Sequence, residues 1–186
     1  GSAGNVLVST ITYGGISMAK ATSTSNGYMV AEVWYLQNPA SGTNNVVVTW
    51  GSAPAQFTVG AVSVTGNAGG LGDYKAKWDC CGISSISVDI TSHADDFVMD
   101  SFADQWNAAR TITEGAGQTS RWSYNNGARK RMGSTEAGAS TVTMSYTLTA
   151  TGDSGTSLAA MNFLSVSDTP SYTPLDYNII YGTWNN

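Results

Sequence analysis

Through much of the chain, apolar and polar residues alternate with a period of two, the spacing that puts one side of an extended strand in a core and the other in water. Thr141–Thr149 is the cleanest run: Val142, Met144, Tyr146 and Leu148 fall on one face, Thr143, Ser145, Thr147 and Thr149 on the other. The threonines are β-branched and suit a pleated, solvated surface. The same reading places strands near Val6–Tyr13, Ala31–Leu36, Asn45–Trp50, Phe57–Thr65, Ser84–Thr91, Asp96–Ala103, Thr119–Tyr124 and Leu158–Val166. Two continuous apolar runs, Val46-Val47-Val48 and Leu158–Met161, predict central strands covered on both faces. One helix is expected, over Ser101–Arg110, on the strength of Ala103, Ala108 and Ala109.

Turn residues separate the runs: Gly14-Gly15, Asn26-Gly27, Asn38-Pro39, Ser41-Gly42, Gly69-Gly70, Asn126-Gly127 and Thr151-Gly152-Asp153. Short strands with turns between them predict an all-β fold, an antiparallel β-sandwich. After Asp168 the pattern changes. Pro170 and Pro174 punctuate the chain, and then Leu175, Tyr177, Ile179 and Tyr181 share one face of a further strand. We therefore divide the chain into a sandwich domain over 1–167 and a C-terminal extension strand over 168–186. An apolar strand following a complete-looking domain must pair, either with its own sandwich or with a neighbour's.

Composition narrows the class. Of 186 residues, 11% are charged, against roughly 25% in an average soluble protein. Six Trp and nine Tyr argue against disorder. No apolar run reaches the roughly 20 residues of a membrane-spanning helix. A formal charge of -5 argues against nucleic acid as a partner. The opening Gly1-Ser2 suggests a removed signal peptide or a cloning remnant. There is no Asn-x-Ser/Thr sequon, and a secreted domain of this size does not need a disulfide framework.

Several colinear segments carry a resemblance. They are Thr12-Tyr13-Gly14-Gly15 with Ile16 to Met18, then Glu32-Val33-Trp34-Tyr35-Leu36 with Asn38-Pro39 and Gly42-Thr43, and Gly60-Ala61-Val62-Ser63. Asp95-Asp96-Phe97-Val98-Met99-Asp100, Gly115-Ala116-Gly117-Gln118-Thr119 and Val142 to Leu148 follow in order. From about Val8 to Val166 the chain resembles a jelly-roll-like β-sandwich domain of secreted and surface proteins of bacteria, archaea and phages. The resemblance implies a fold and no catalytic set. It also implies one more apolar strand ahead of Thr12–Gly15, which this chain begins too late to supply comfortably. A sandwich short of one strand and owning a spare resembles the subunits of donor-strand filaments. The expected function is a pilus-like structural subunit at the cell surface, a homopolymer joined by strand complementation. Donor candidates are Leu175, Tyr177, Ile179 and Tyr181, or Val6 and Val8 at the other end; intramolecular closure is the competing expectation.

Candidate chemistry is sparse. His93 is the single histidine, no Gly-x-Ser-x-Gly elbow or phosphate loop occurs, and no enzyme activity is expected. Gly66–Gly72 reads as a flexible loop. Asp89, Asp95, Asp96, Asp100 and Asp104 cluster in sequence, with Asp96 and Asp100 on one strand face. They read as solvated edge carboxylates, or as a weak calcium site, since calcium takes oxygen ligands; no other cofactor is indicated. Cys80 and Cys81 are either thiols or a disulfide, with each other or with another copy, and too few ligands accompany them for zinc. Trp34 and Trp50 read as core, while Trp78, Trp106 and Trp184 are free to pack on a neighbour, and Trp78 and Trp106 are candidates for a glycan-stacking platform. Arg129-Lys130-Arg131 reads as a loop, solvated or facing the acidic cluster of another copy. A carbohydrate-binding adhesive module, or a phage decoration or tail component, are the alternative functions.

Overall fold

The computed structural model describes residues 6–67, 70–105, 110–127, 129–149, 155–165 and 175–185, with the backbone alone described for 66–67 and 175–185. Among these, the chain forms strands and no helix. In order they are β1 (Val8–Tyr13), β2 (Ile16–Ser17), β3 (Ala19–Ser25), β4 (Met29–Gln37), β5 (Val46–Trp50), β6 (Gln56–Asn67), β7 (Leu71–Asp79) and β8 (Ser85–Thr91). There follow β9 (Phe97–Gln105), β10 (Ile112–Glu114), β11 (Thr119–Asn125), β12 (Arg129–Ala137), β13 (Thr141–Leu148), β14 (Thr156–Phe163) and β15 (Leu175–Asn185).

They assemble into four antiparallel sheets, β2-β1-β5, β3-β4-β15-β6, β11-β12-β9-β14-β7 and β10-β13-β8. The core lies between successive sheets as three apolar clusters. Val8, Ile11, Met18, Val30 and Trp34 join the first sheet to the second. Ala31, Val33, Met99, Ala159, Met161 and Phe163 join the second to the third. Ile86, Ile90, Val98, Phe102, Val142, Met144, Tyr146 and Leu158 join the third to the fourth. This is the expected all-β sandwich, built antiparallel throughout.

A sheet with another on each side needs strands that bury both faces. β14 does so along its whole length, as the Leu158–Met161 run predicts, and β4 and β9 do so over most of theirs. Alternation returns in the outer layer: β13 buries Val142, Met144, Tyr146 and Leu148 and exposes Thr141, Thr143 and Thr147.

Three expectations need correction. The predicted helix is strand over 101–105, because Ser101 and Ala103 are small enough to lie buried between layers; residues 106–109, the rest of that prediction, fall outside the described residues. Val46-Val47-Val48 is not a covered strand, since β5 is the last strand of the first sheet and leaves Val47 53% exposed. Finally, Arg129-Lys130-Arg131 is not a loop but the start of β12, with Lys130 and Arg131 buried.

Candidate functional site

The surplus C-terminal strand sits inside a sheet. β15 runs antiparallel between β4 and β6, with Tyr177 opposite Gln37, Ile179 opposite Tyr35, Tyr181 opposite Val33 and Asn185 opposite Met29 on one side. On the other side Tyr177 faces Val64, Ile179 faces Val62 and Tyr181 faces Gly60. Without it, β4 and β6 would be two open edges separated by a strand-wide gap. That gap is apolar on both sides. Val33, Tyr35, Val62 and Val64 belong to the cluster below the sheet, and Val30, Trp34 and Val59 to the cluster above it. Tyr177, Ile179 and Tyr181 occupy alternate positions of the strand at these registers, and a register shift against β6 separates Leu175 from them. At the other end, β1 pairs with β2 and β5, Val8 is buried, and Val6 precedes the strand.

A second feature lies at one end of the sandwich, where the β3–β4 turn meets the end of β7. Asn26 Oδ1 accepts the backbone N–H groups of Tyr28 (2.9 Å) and Met29 (2.7 Å), and Gly27 takes φ +91°, so the turn is tight and Tyr28 projects from its tip. Trp78 stands near the end of β7. Cys80 and Cys81 follow it, joined to each other in a disulfide, and Cys81 and Gly82 both turn the chain with positive φ. These groups line a groove of about 540 Å³ together with Asn26, Gln105 and Gly155. Trp78 is 52% exposed and Tyr28 62%. Sequence reasoning singled out Trp78 and the cysteines and missed Tyr28, although the adjacent Asn26-Gly27 turn marks Tyr28 as a tip residue. Trp106 and Trp184 cannot be placed beside them, because their side chains lie outside the described residues.

Of the acidic cluster, Asp96, Asp100 and Asp104 are interior and not solvated, whereas Asp89 and Asp95 are exposed. Asp100 Oδ1 accepts hydrogen bonds from the Ser134 backbone N–H (2.8 Å) and the Tyr146 hydroxyl (2.9 Å), and Oδ2 from Gln118 Nε2 (3.3 Å). Complete burial pushes this carboxyl up to about 7 in spite of those donors. Burial also raises the Tyr146 hydroxyl, with the Asp100 charge adding to it. Asp96 differs. Burial acts to raise its carboxyl, but donors from Asn162 (2.8 Å), the Ser165 N–H (2.7 Å) and the His93 N–H (2.9 Å) outweigh it, and the group titrates below its ordinary range. Asp104 is pushed up to about 6 by burial, against the pull of Arg110, whose Nη1 lies 3.1 Å away, and of Lys130.

Asp96 and Asp100 thus stitch different elements together, and no group of three metal-binding side chains forms among the described residues. The Arg129–Arg131 run meets partners within its own chain: Lys130 sits in register with Asp104, and Arg131 Nη1 donates to Thr58 Oγ1 at 3.3 Å. The His93 side chain is exposed, with Nδ1 3.5 Å from Asp96 Oδ2. Asp89 takes a hydrogen bond from the Thr143 hydroxyl at 2.7 Å, and Asp95 is exposed in a positive-φ turn.

The chain matches no family model, no curated protein and no solved structure. Among the described residues, no helix is long and apolar enough to cross a membrane.

Proposed function

We propose that this protein is a structural subunit of an extracellular, pilus-like filament or surface assembly, in which neighbouring copies are joined by exchange of β15. The observation that carries the reading is the interior position of β15, hydrogen-bonded on both sides by strands that precede it in the chain. A strand from a second copy would make the same backbone bonds to β4 and β6 and fill the same apolar gap. Self-closure and exchange therefore differ little in contacts, and concentration and linker reach decide between them. The low charge content and the resemblance of Val8–Val166 to jelly-roll-like surface domains support a long-lived external role.

A cysteine pair at Gln37 and Tyr177, which lie in register, tests the exchange. Opposed residues of an antiparallel pair are close enough for a disulfide. Oxidising a concentrated Gln37→Cys/Tyr177→Cys sample should give a ladder of covalent multimers on a non-reducing gel. Cross-linked monomer alone, at every concentration at which the protein assembles, would overturn the proposal.

One observation favours a second reading, that of a carbohydrate-binding adhesive module: two exposed rings, Tyr28 and Trp78, border a single groove.

A further inference from the structure

The end groove has the make-up of a small-molecule site rather than of a protein contact. Its volume of about 540 Å³ lies within the roughly 300–1,000 Å³ of ligand pockets. Among the described residues, no Asp, Glu, Lys or Arg lines it. The lining consists of two aromatic rings, the compact ring closed by two adjacent bonded cysteines, one glycine and two amide side chains. Flat apolar plates flanked by amides suit a ligand with one C–H-rich face and a rim of hydroxyls. A pyranose has that shape. The lack of charge among the described lining residues and the net charge of -5 favour a neutral sugar over an anionic one.

Individual groups fit the role. Asn26 Oδ1 is committed to the turn, while its Nδ2 has no hydrogen-bond partner among the described residues and lies against Gly155, where even a Cβ would collide with it. Asn26 thus shapes the groove wall by packing against Gly155, with its amide nitrogen enclosed and out of a ligand's reach. The two cysteines fix the chain just after Trp78 and add polarisable, uncharged surface beside the indole.

We propose that this groove binds a neutral pyranose unit of a glycan, stacked on Trp78 and Tyr28, with the Cys80–Cys81 disulfide as part of the surface it rests on. The inference rests on the adhesive reading and adds to it the ligand class and a dependence on the disulfide. The far end of β15 comes close to the groove, since Asn185 lies in register with Met29, next to Tyr28. The inference is compatible with strand exchange, because a strand from a second copy would make the same pairing there.

The test is tryptophan fluorescence and calorimetric titration of the intact protein with short neutral oligosaccharides of glucose, mannose, galactose or N-acetylglucosamine, with polygalacturonate as the charged control. At least one neutral probe should bind and perturb the fluorescence. Trp78→Ala and Tyr28→Ala, both at exposed positions, should each weaken that binding by about tenfold, while the thermal midpoint stays close to that of the parent. Cys80→Ser/Cys81→Ser, or reduction of the parent, should weaken it by several-fold. Binding that is lost in Trp78→Ala but indifferent to the cysteine changes keeps the adhesive reading and overturns the role of the disulfide. No binding by any neutral probe, or binding unchanged in Trp78→Ala, overturns both.

Discussion

Asp100 carries the clearest residue-scale consequence. Ser134 and Tyr146 donate to it, yet complete burial, with the Glu114 charge adding to it, holds its carboxyl near 7, so between about pH 4 and 7 the folded protein binds a proton that the unfolded chain has released. Stability therefore falls as pH rises through that window and is flat above it. Asp104 and Glu32, both raised by burial, act in the same sense. Asp96 has the opposite sign: its folded carboxyl is depressed, so its contribution is present above the ordinary carboxyl range and is lost as pH drops through the folded value. The thermal midpoint should peak at mildly acidic pH and decline toward pH 8, as scanning calorimetry across pH 3–8 would show. Asp100→Asn should remove much of the slope between pH 5 and 7, a difference on the order of a few kcal/mol. A midpoint that climbs steadily from pH 5 to 8 would contradict this account.

At the scale of elements, what could be read from the sequence depended on how many faces a strand buries. β13 has one wet face, and its alternation gave it away. β14, covered on both faces, showed as an apolar run. Most of β9 was legible as a strand over Asp96–Ala103, and only its end misled, where small Ser101 and Ala103 read as helix; the burial of Asp100, satisfied by Ser134 and Tyr146 on other strands, is what a local pattern does not show. β12 was hidden for a similar reason, Arg131 reaching Thr58 of another sheet and Lys130 lying in register with Asp104 of the neighbouring strand. β3 and β7 also escaped, since their Thr, Ser, Lys and Asp residues obscure the period. Of the groove, Trp78 and the cysteine pair were legible as unusual residues; Tyr28, Asn26 and Gln105 were not, because only the meeting of separate strand ends brings them together. Layer spacing gives the prediction at this scale. Gly60 of β6 lies under the Trp122 indole of β11, where a Cβ would come within 2.5 Å of Nε1. Gly60→Ala should destabilise the fold by about 1–3 kcal/mol in urea unfolding, whereas Gly15→Ala, in open space, should cost only the strain of its positive φ.

For the whole molecule, the question is what closes the seam between β4 and β6. A variant lacking residues 168–186 should lose much of its stability, and a synthetic peptide of the same residues, added in excess, should restore the thermal midpoint in proportion to the logarithm of its concentration. The parent, whose seam is already filled, should respond little. If the truncated variant melts at the parent's midpoint and ignores the peptide, β15 is a dispensable strand and no link between copies can depend on it.

The interior place of β15 also sets a timetable. A ribosome releases β4 and β6 long before the strand that separates them, so a nascent chain must hold two parallel-running lips apart, or let water occupy the space, until the last partner emerges. During that interval the half-made body is at its most receptive to a strand from elsewhere, and whatever shields it in the cell governs how many chains close on their own last strand.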